Sequence, residues 1–187
     1  MEILVSNAAI GQMTADEGGP KTFTGVGGVA GSRIALVTES ASEADAFRAA
    51  HPDARIIDCT GRLVMPGLVN THCHAAMTLQ RSYADDMELM SWLNEKIWPA
   101  EAKFVNEPIS WGRRLAVLAM IQSGTTTFAD MYDSMHEVAR VVEEAGVQAN
   151  LSRGLLVFSD PEGKNIQKNV RLYENFHNRA EGRLKVW

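Results

Sequence analysis

His72 and His74 flank Cys73 at the end of a short apolar run. That run starts as Leu63-Val64-Met65, breaks at Pro66-Gly67 and resumes as Leu68-Val69. In an extended strand alternate side chains share a face, so both imidazoles point one way and Cys73 the other. A neutral imidazole nitrogen ligates zinc-like ions well, and two on one strand face make half of a metal site. Two unliganded histidines in a polar loop are the alternative that this spacing alone leaves open. Cys73 and Cys59 read as inert small residues. His51, His136 and His177 sit at a turn or near helix ends and receive no role.

The flanking residues are more specific. Val64-Met65-Pro66-Gly67-Leu68-Val69-Asn70-Thr71-His72-Cys73-His74 resembles the first barrel strand of the amidohydrolase superfamily. The continuation runs through Ala75-Ala76-Met77-Thr78-Leu79-Gln80-Arg81, Ala84-Asp85-Asp86, Trp92-Leu93 and Ile97-Trp98-Pro99-Ala100-Glu101. It resembles the branch holding 5-methylthioadenosine/S-adenosylhomocysteine deaminases, with triazine chlorohydrolases and guanine-type deaminases as cousins. The resemblance extends along almost the whole chain and is strongest from Gly61 to Phe104.

That resemblance implies metal-dependent hydrolytic deamination of an adenosine derivative, in which activated water attacks the purine and ammonia leaves. One divalent metal ion is implied, zinc first and iron second, with His72 and His74 as two of its ligands. The family completes its site with a later His and Asp, and a Glu and a further His handle protons. None of these lies in this chain, so no catalytic residue is assigned within it. Glu101 matches a glutamate that contacts ribose hydroxyls in adenosine-type deaminases, and a carboxylate accepts well from two vicinal hydroxyls. A helix-start glutamate favoured by the macrodipole is the plainer alternative. Arg153, in Ser152-Arg153-Gly154, matches an arginine that lines the same pocket and can meet a carboxylate-bearing substrate tail. A surface salt bridge is its alternative. Lys164, in Asp160-Pro161-Glu162-Gly163-Lys164, matches a second pocket arginine poorly and is not assigned. Asp130 is expected to support the site by hydrogen bonding, and Lys185 to be structural. The implied partner is a small-molecule purine nucleoside. A triazine or another aminated purine or pyrimidine ring is the alternative substrate class.

The elements that must position these residues follow from pattern. Ile3 to Ala9 reads as a strand, Gly11 to Gly19 as a turn region, and Val26–Ala30 with Arg33–Val37 as a hairpin turning at Gly31-Ser32. A short helix over 42–50, ended by His51-Pro52, precedes a strand at 55–58. From Leu63 the rhythm changes to strand, loop and helix. Leu89, Trp92, Leu93 and Lys96 fall at helical spacing. The methionines and tryptophans of this segment read as core first and as a pocket wall second. Pro108 to Ser123 reads as a helix with a Leu115, Leu118 and Ala119 stripe and a Gly124 stop. A strand over 125–129 ends at Asp130. Ser134 and Glu137 form a capping-box pattern opening a helix that stops at Gly146. A third strand region covers 147–157. A helix over 165–178 carries a Val170, Tyr173 and Phe176 stripe, and a fourth strand starts at Arg183. Alternating strands and helices imply a parallel sheet, and barrel enzymes place their chemistry at the strands' C-terminal ends.

The expected fold is α/β: the N-terminal part of a (β/α)8 TIM-like barrel preceded by part of a small β-sandwich domain. Residues 1–60 form the partial sandwich. Residues 61–187 form the first half of the barrel, strands one to three and the start of four. At 187 residues the chain is shorter than the ~250 of a complete barrel. It therefore reads as an N-terminal, inactive fragment, or alternatively as a non-catalytic half-barrel completed by another chain, with a homo-oligomer among the options. The net charge of −5 argues against nucleic acid or a membrane surface as partner. No apolar run approaches the ~18 residues of a membrane span. The first residues lack the pattern of a signal peptide, and two cysteines make no disulfide framework. Cytoplasmic location is expected.

Overall fold

A computed structural model describes residues 1–14, 21–103, 106–155, 160 and 162–187. It divides into two compact units, Met1–Pro66 and Gly67–Trp187.

The first unit is built on β1 (Glu2–Gln12), which pairs antiparallel with β2 (Lys21–Ala30) and parallel with β4 (Arg55–Asp58) and β5 (Leu63–Val64). β2 in turn pairs antiparallel with β3 (Arg33–Thr38), through a turn whose Gly31 takes φ 62°. A left-handed φ of this kind favours glycine. Ser40 caps α1 (Ala41–Ala50) by accepting from the Glu43 N–H, and Phe47 packs so close to Gly28 that a Cβ there would clash. Gly11 belongs to β1, not to a turn, while residues 15–20 of the expected turn region lie outside the described residues. Leu63-Val64, read as the start of the first barrel strand, instead pairs with β1 in this unit.

The second unit is a parallel sheet in chain order: β6 (Leu68–Cys73), β7 (Thr125–Tyr132), β8 (Gln148–Arg153) and β9 (Leu184–Val186). Helices α4 (Asn106–Gln122), α5 (Met135–Ala145) and α6 (Lys164–Phe176) connect the strands. Phe128, Ala149, Leu151, Leu184 and Val186 share the covered face and pack against Val138 and Val142 of α5. Gly124 and Gly146, both with φ near 80°, end α4 and α5 as their sequence predicts. After β6 comes a 3₁₀ turn, Ala75–Gln80. There follows a helical stretch made of α2 (Leu89–Ser91), a π-helix (Trp92–Ile97) and α3 (Trp98–Glu101).

Three sequence expectations are corrected. Among the described residues of α4, Gly112, Arg113, Ala116 and Val117 are buried, while Leu115 and Leu118 stand 44% and 50% exposed. Close approach sets the face: a Cβ on Gly112 would lie 2.7 Å from the Ala76 carbonyl oxygen, so the face bearing Gly112, Ala116 and the buried Arg113 turns inward. On α6 Leu172 is buried and Phe176 half-buried, whereas Val170 and Tyr173 are exposed. Ser134 adopts φ 51° and ψ 42° and makes no side-chain cap bond, so the capping box does not form. Asp133 takes over by accepting from the Ser134 N–H at 2.7 Å. Residues 156–159 of the expected third-strand region, Phe104, and Pro161 of the following loop lie outside the described residues.

Leu151 sits fully buried on a strand flanked by two others. Leu151→Ala is expected to lower unfolding stability by about 2–5 kcal/mol, read as a lower denaturant midpoint at unchanged slope. An unchanged midpoint would contradict this core.

Candidate active site at the strand ends

Parallel pairing aligns the C-terminal ends of the strands. Cys73 lies opposite Asp130, and Tyr132 opposite Arg153. The two histidines emerge at this edge with ring centroids 5.1 Å apart in an edge-to-face arrangement. His74 Nδ1 lies 2.7 Å from the Met131 carbonyl oxygen. A carbonyl only accepts, so Nδ1 carries a proton, and in the neutral ring Nε2 is the nitrogen that keeps a free lone pair. Cys73 packs against the hydrophobic core. Burial, helped by Asp130, pushes its thiol up to about 12, which makes it an inert residue.

A cavity of about 550 Å3 opens beside His74, with Trp92, Trp98, Glu101, Tyr132 and Arg153 among its walls. Leu89 and Met90 are exposed and Ile97 is buried. The aromatic segment after β6 thus forms a cavity wall more than a core, reversing the first reading of its tryptophans. Its helix begins at Glu88, whose carboxylate accepts from the N–H groups of Met90 and Ser91 at 2.9 and 3.1 Å. The π-helical turn then replaces the regular α spacing expected for Leu89, Trp92, Leu93 and Lys96. Glu101 ends the segment half-buried and accepts a hydrogen bond from the Tyr132 hydroxyl.

Arg153 is held on three sides. Its guanidinium pairs with Asp133 and donates through Nε to Asn165 at 2.8 Å, and its backbone N–H donates to Asn169 at 2.9 Å. Asn165 and Asn169 lie one turn apart on α6, four residues being the spacing of side chains on one helix face. Asp133 feels burial, which raises its carboxyl, but the Arg153 guanidinium outweighs this and holds it below the usual range.

Beneath the cavity lies Arg113, 1% exposed, which donates to the Asp133 carbonyl at 3.1 Å. Asp130 is equally buried and accepts from the Ala75 N–H at 3.3 Å. Burial pushes the Asp130 carboxyl up to about 7, against the opposing pull of Ala75 and Arg113. Lys164 pairs with Glu162 in solvent at 2.6 Å, and Lys185 donates to Asn178. Among the described residues no group of three or more His, Cys, Asp or Glu is placed to hold a metal ion. No helix among them is long and apolar enough to cross a membrane.

The model of the amidohydrolase family matches residues 63–187. The chain belongs to the amidohydrolase family. A 5-methylthioadenosine/S-adenosylhomocysteine deaminase of Desulfitobacterium hafniense (strain Y51) is 49% identical over 170 residues, covering 90% of this chain and 38% of that relative. The chain thus spans well under half the length of the curated relative it matches. An adenosine deaminase from Xanthomonas campestris, solved with bound zinc, superposes with a TM-score of 0.76 at 25% identity, over 98% of this chain and 41% of that one. A guanine deaminase from C. acetobutylicum superposes with a TM-score of 0.81 at 19% identity, over 100% and 45%. The α/β class expected from the sequence holds, and the match covers part of these larger amidohydrolase folds.

In this amidohydrolase chain the geometry brings His74, Glu101 and Arg153 to one cavity, with His72 beside His74. Sequence reasoning missed Tyr132, Asp133 and Arg113. Ending the second strand at Asp130 hid the first two, although Phe128, Asp130 and Tyr132 continue one alternation. Arg113 carried no signal beyond being a charge within an apolar helix.

Because Arg113 and Asp130 are both buried, Arg113→Met is expected to destabilise the protein by about 1–3 kcal/mol. Adding Asp130→Asn should recover part of that loss in thermal melts. Strictly additive losses would show that the two groups do not balance each other.

Proposed function

We propose that this chain supplies half of the (β/α)8 barrel of a cytoplasmic, metal-dependent deaminase acting on 5-methylthioadenosine or S-adenosylhomocysteine. The observation that carries the reading is the convergence of His74, Glu101 and Arg153 on one aromatic-walled cavity. Relatives bearing the deaminase name at 49% identity support the same reaction class, and two cysteines without a disulfide suit a reducing compartment.

His72 and His74 fit as two ligands of a divalent ion, zinc by preference. The carbonyl of Met131 fixes the His74 tautomer and leaves Nε2 free to bind, the orienting contact that ligating histidines require. When bound, such an ion supplies Lewis acidity that lets water ionise near neutral pH. The chain's own residues bind and orient. Trp92 and Trp98 offer flat apolar surface to a purine and exclude water. Glu101 has the acceptors for two vicinal hydroxyls of a ribose. Arg153, braced by Asn165 and Asp133, presents its remaining N–H groups to the substituent at the 5′ end, where a carboxylate would form charge-assisted bonds.

In the complete enzyme carrying these residues, Glu101→Gln is expected to raise KM for 5-methylthioadenosine about tenfold, as loss of a charge-assisted hydrogen bond does, with kcat less affected. Ammonia release measures both constants. Unchanged kinetics would remove the ribose role.

The 187-residue chain alone is expected to release no ammonia even with zinc added. Two imidazoles fall short of the three protein ligands a catalytic site uses, and the described residues offer no suitable cluster. Zinc-dependent turnover by the purified chain would overturn this expectation.

A further inference from the structure

Tyr132 stands at the last position of β7, directly opposite Arg153 in the parallel register. Its ring lies 5.8 Å from the His74 ring, centroid to centroid, tilted by 41°. Its hydroxyl donates to Glu101 Oε1, reaching across 31 residues of sequence. One side chain therefore touches the glutamate and abuts a histidine of the cavity.

We propose that Tyr132 is a positioning residue that sets the preference of this site for a ribose, by donating to Glu101 and holding that carboxylate towards the cavity. The inference rests on the ribose role of Glu101 proposed above. The physical case is preorganisation. Glu101 closes a short helix, and a free glutamate side chain populates many rotamers that binding must narrow. A carboxylate offers two oxygens and about four lone-pair sites. Committing Oε1 to the phenol leaves Oε2 and a second Oε1 lone pair for sugar hydroxyls, in a fixed direction. A Phe at this position would preserve the packing beside His74 and remove only the anchor.

The test compares 5-methylthioadenosine with its 2′,3′-dideoxy counterpart in the complete enzyme, for wild type, Tyr132→Phe, Glu101→Gln and the double variant. Thermal melts confirm that each variant is folded. Tyr132→Phe is expected to lower kcat/KM about tenfold for the ribonucleoside, the scale of one hydrogen bond to a charged group. Most of that loss should appear in KM, with little change for the dideoxy compound. The double variant should match Glu101→Gln alone, because the phenol acts through that carboxylate. Equal losses on both nucleosides, or additive losses in the double variant, would show a merely structural tyrosine and overturn the proposal. A wild-type enzyme that does not distinguish the two nucleosides would overturn the ribose role of Glu101 itself, and the positioning role with it.

Discussion

Parallel strand pairing is the constraint on which the site depends. In a parallel ladder all C-terminal ends lie at one edge, and the register decides which residues meet there. Here it sets Cys73 beside Asp130 and Tyr132 beside Arg153. The strand period of two then sends the Cys73 side chain to the core and frees His72 and His74 on the other side. A slip of one residue between β6 and β7 would reverse those faces. It would also part His74 from the Met131 carbonyl that fixes its tautomer. The chemistry of the edge is thus a property of the sheet before it is a property of any single side chain.

Polar groups below that edge are held by backbone partners distant in sequence, and Arg113 Nε and Asp130 Oδ1 are left without one among the described residues. Arg113 and Asp130 are each 1% exposed, and each uses a backbone partner: the carbonyl of Asp133 and the N–H of Ala75. Burying a charge is tolerable only when it is paired or hydrogen-bonded. The two groups lie close enough to moderate one another, as the downward pull of Arg113 on the Asp130 carboxyl shows. Asp133 links this layer to the cavity. Its carbonyl accepts from Arg113, its carboxylate pairs with Arg153, and it accepts from the N–H that opens α5.

Much of this arrangement was legible from residue types. His-x-His after an apolar run, the glycine stops at 124 and 146, and the alternation of strands with helices all express local rules that tertiary packing did not override. The inward faces of α4 and α6 were not legible. Leucine spacing on α4 pointed to Leu115 and Leu118, but contact with the turn after β6 demands small residues, and Gly112 governs the helix orientation. On α6 the inward face includes Asn165 and Asn169, chosen for their bonds to Arg153. A hydrophobic stripe cannot reveal polar residues that face inward to serve a site. Tyr132 was lost for a simpler reason: Asp130 looked like a strand end, and the strand runs two residues further.

The π-helical turn from Trp92 to Ile97 acts as a phase shifter. A π turn carries one residue more than an α turn in the same stretch. Everything after it is therefore rotated by about 100° relative to an uninterrupted α-helix, the angle one residue subtends at 3.6 per turn. Trp98 and Glu101 owe their place on the cavity wall to that extra residue. A conservative exchange within 92–97 changes one contact, whereas straightening this turn into regular α-helix with all its residues kept would swing the carboxylate of Glu101 away from the sheet edge while leaving every side chain of the cavity chemically intact.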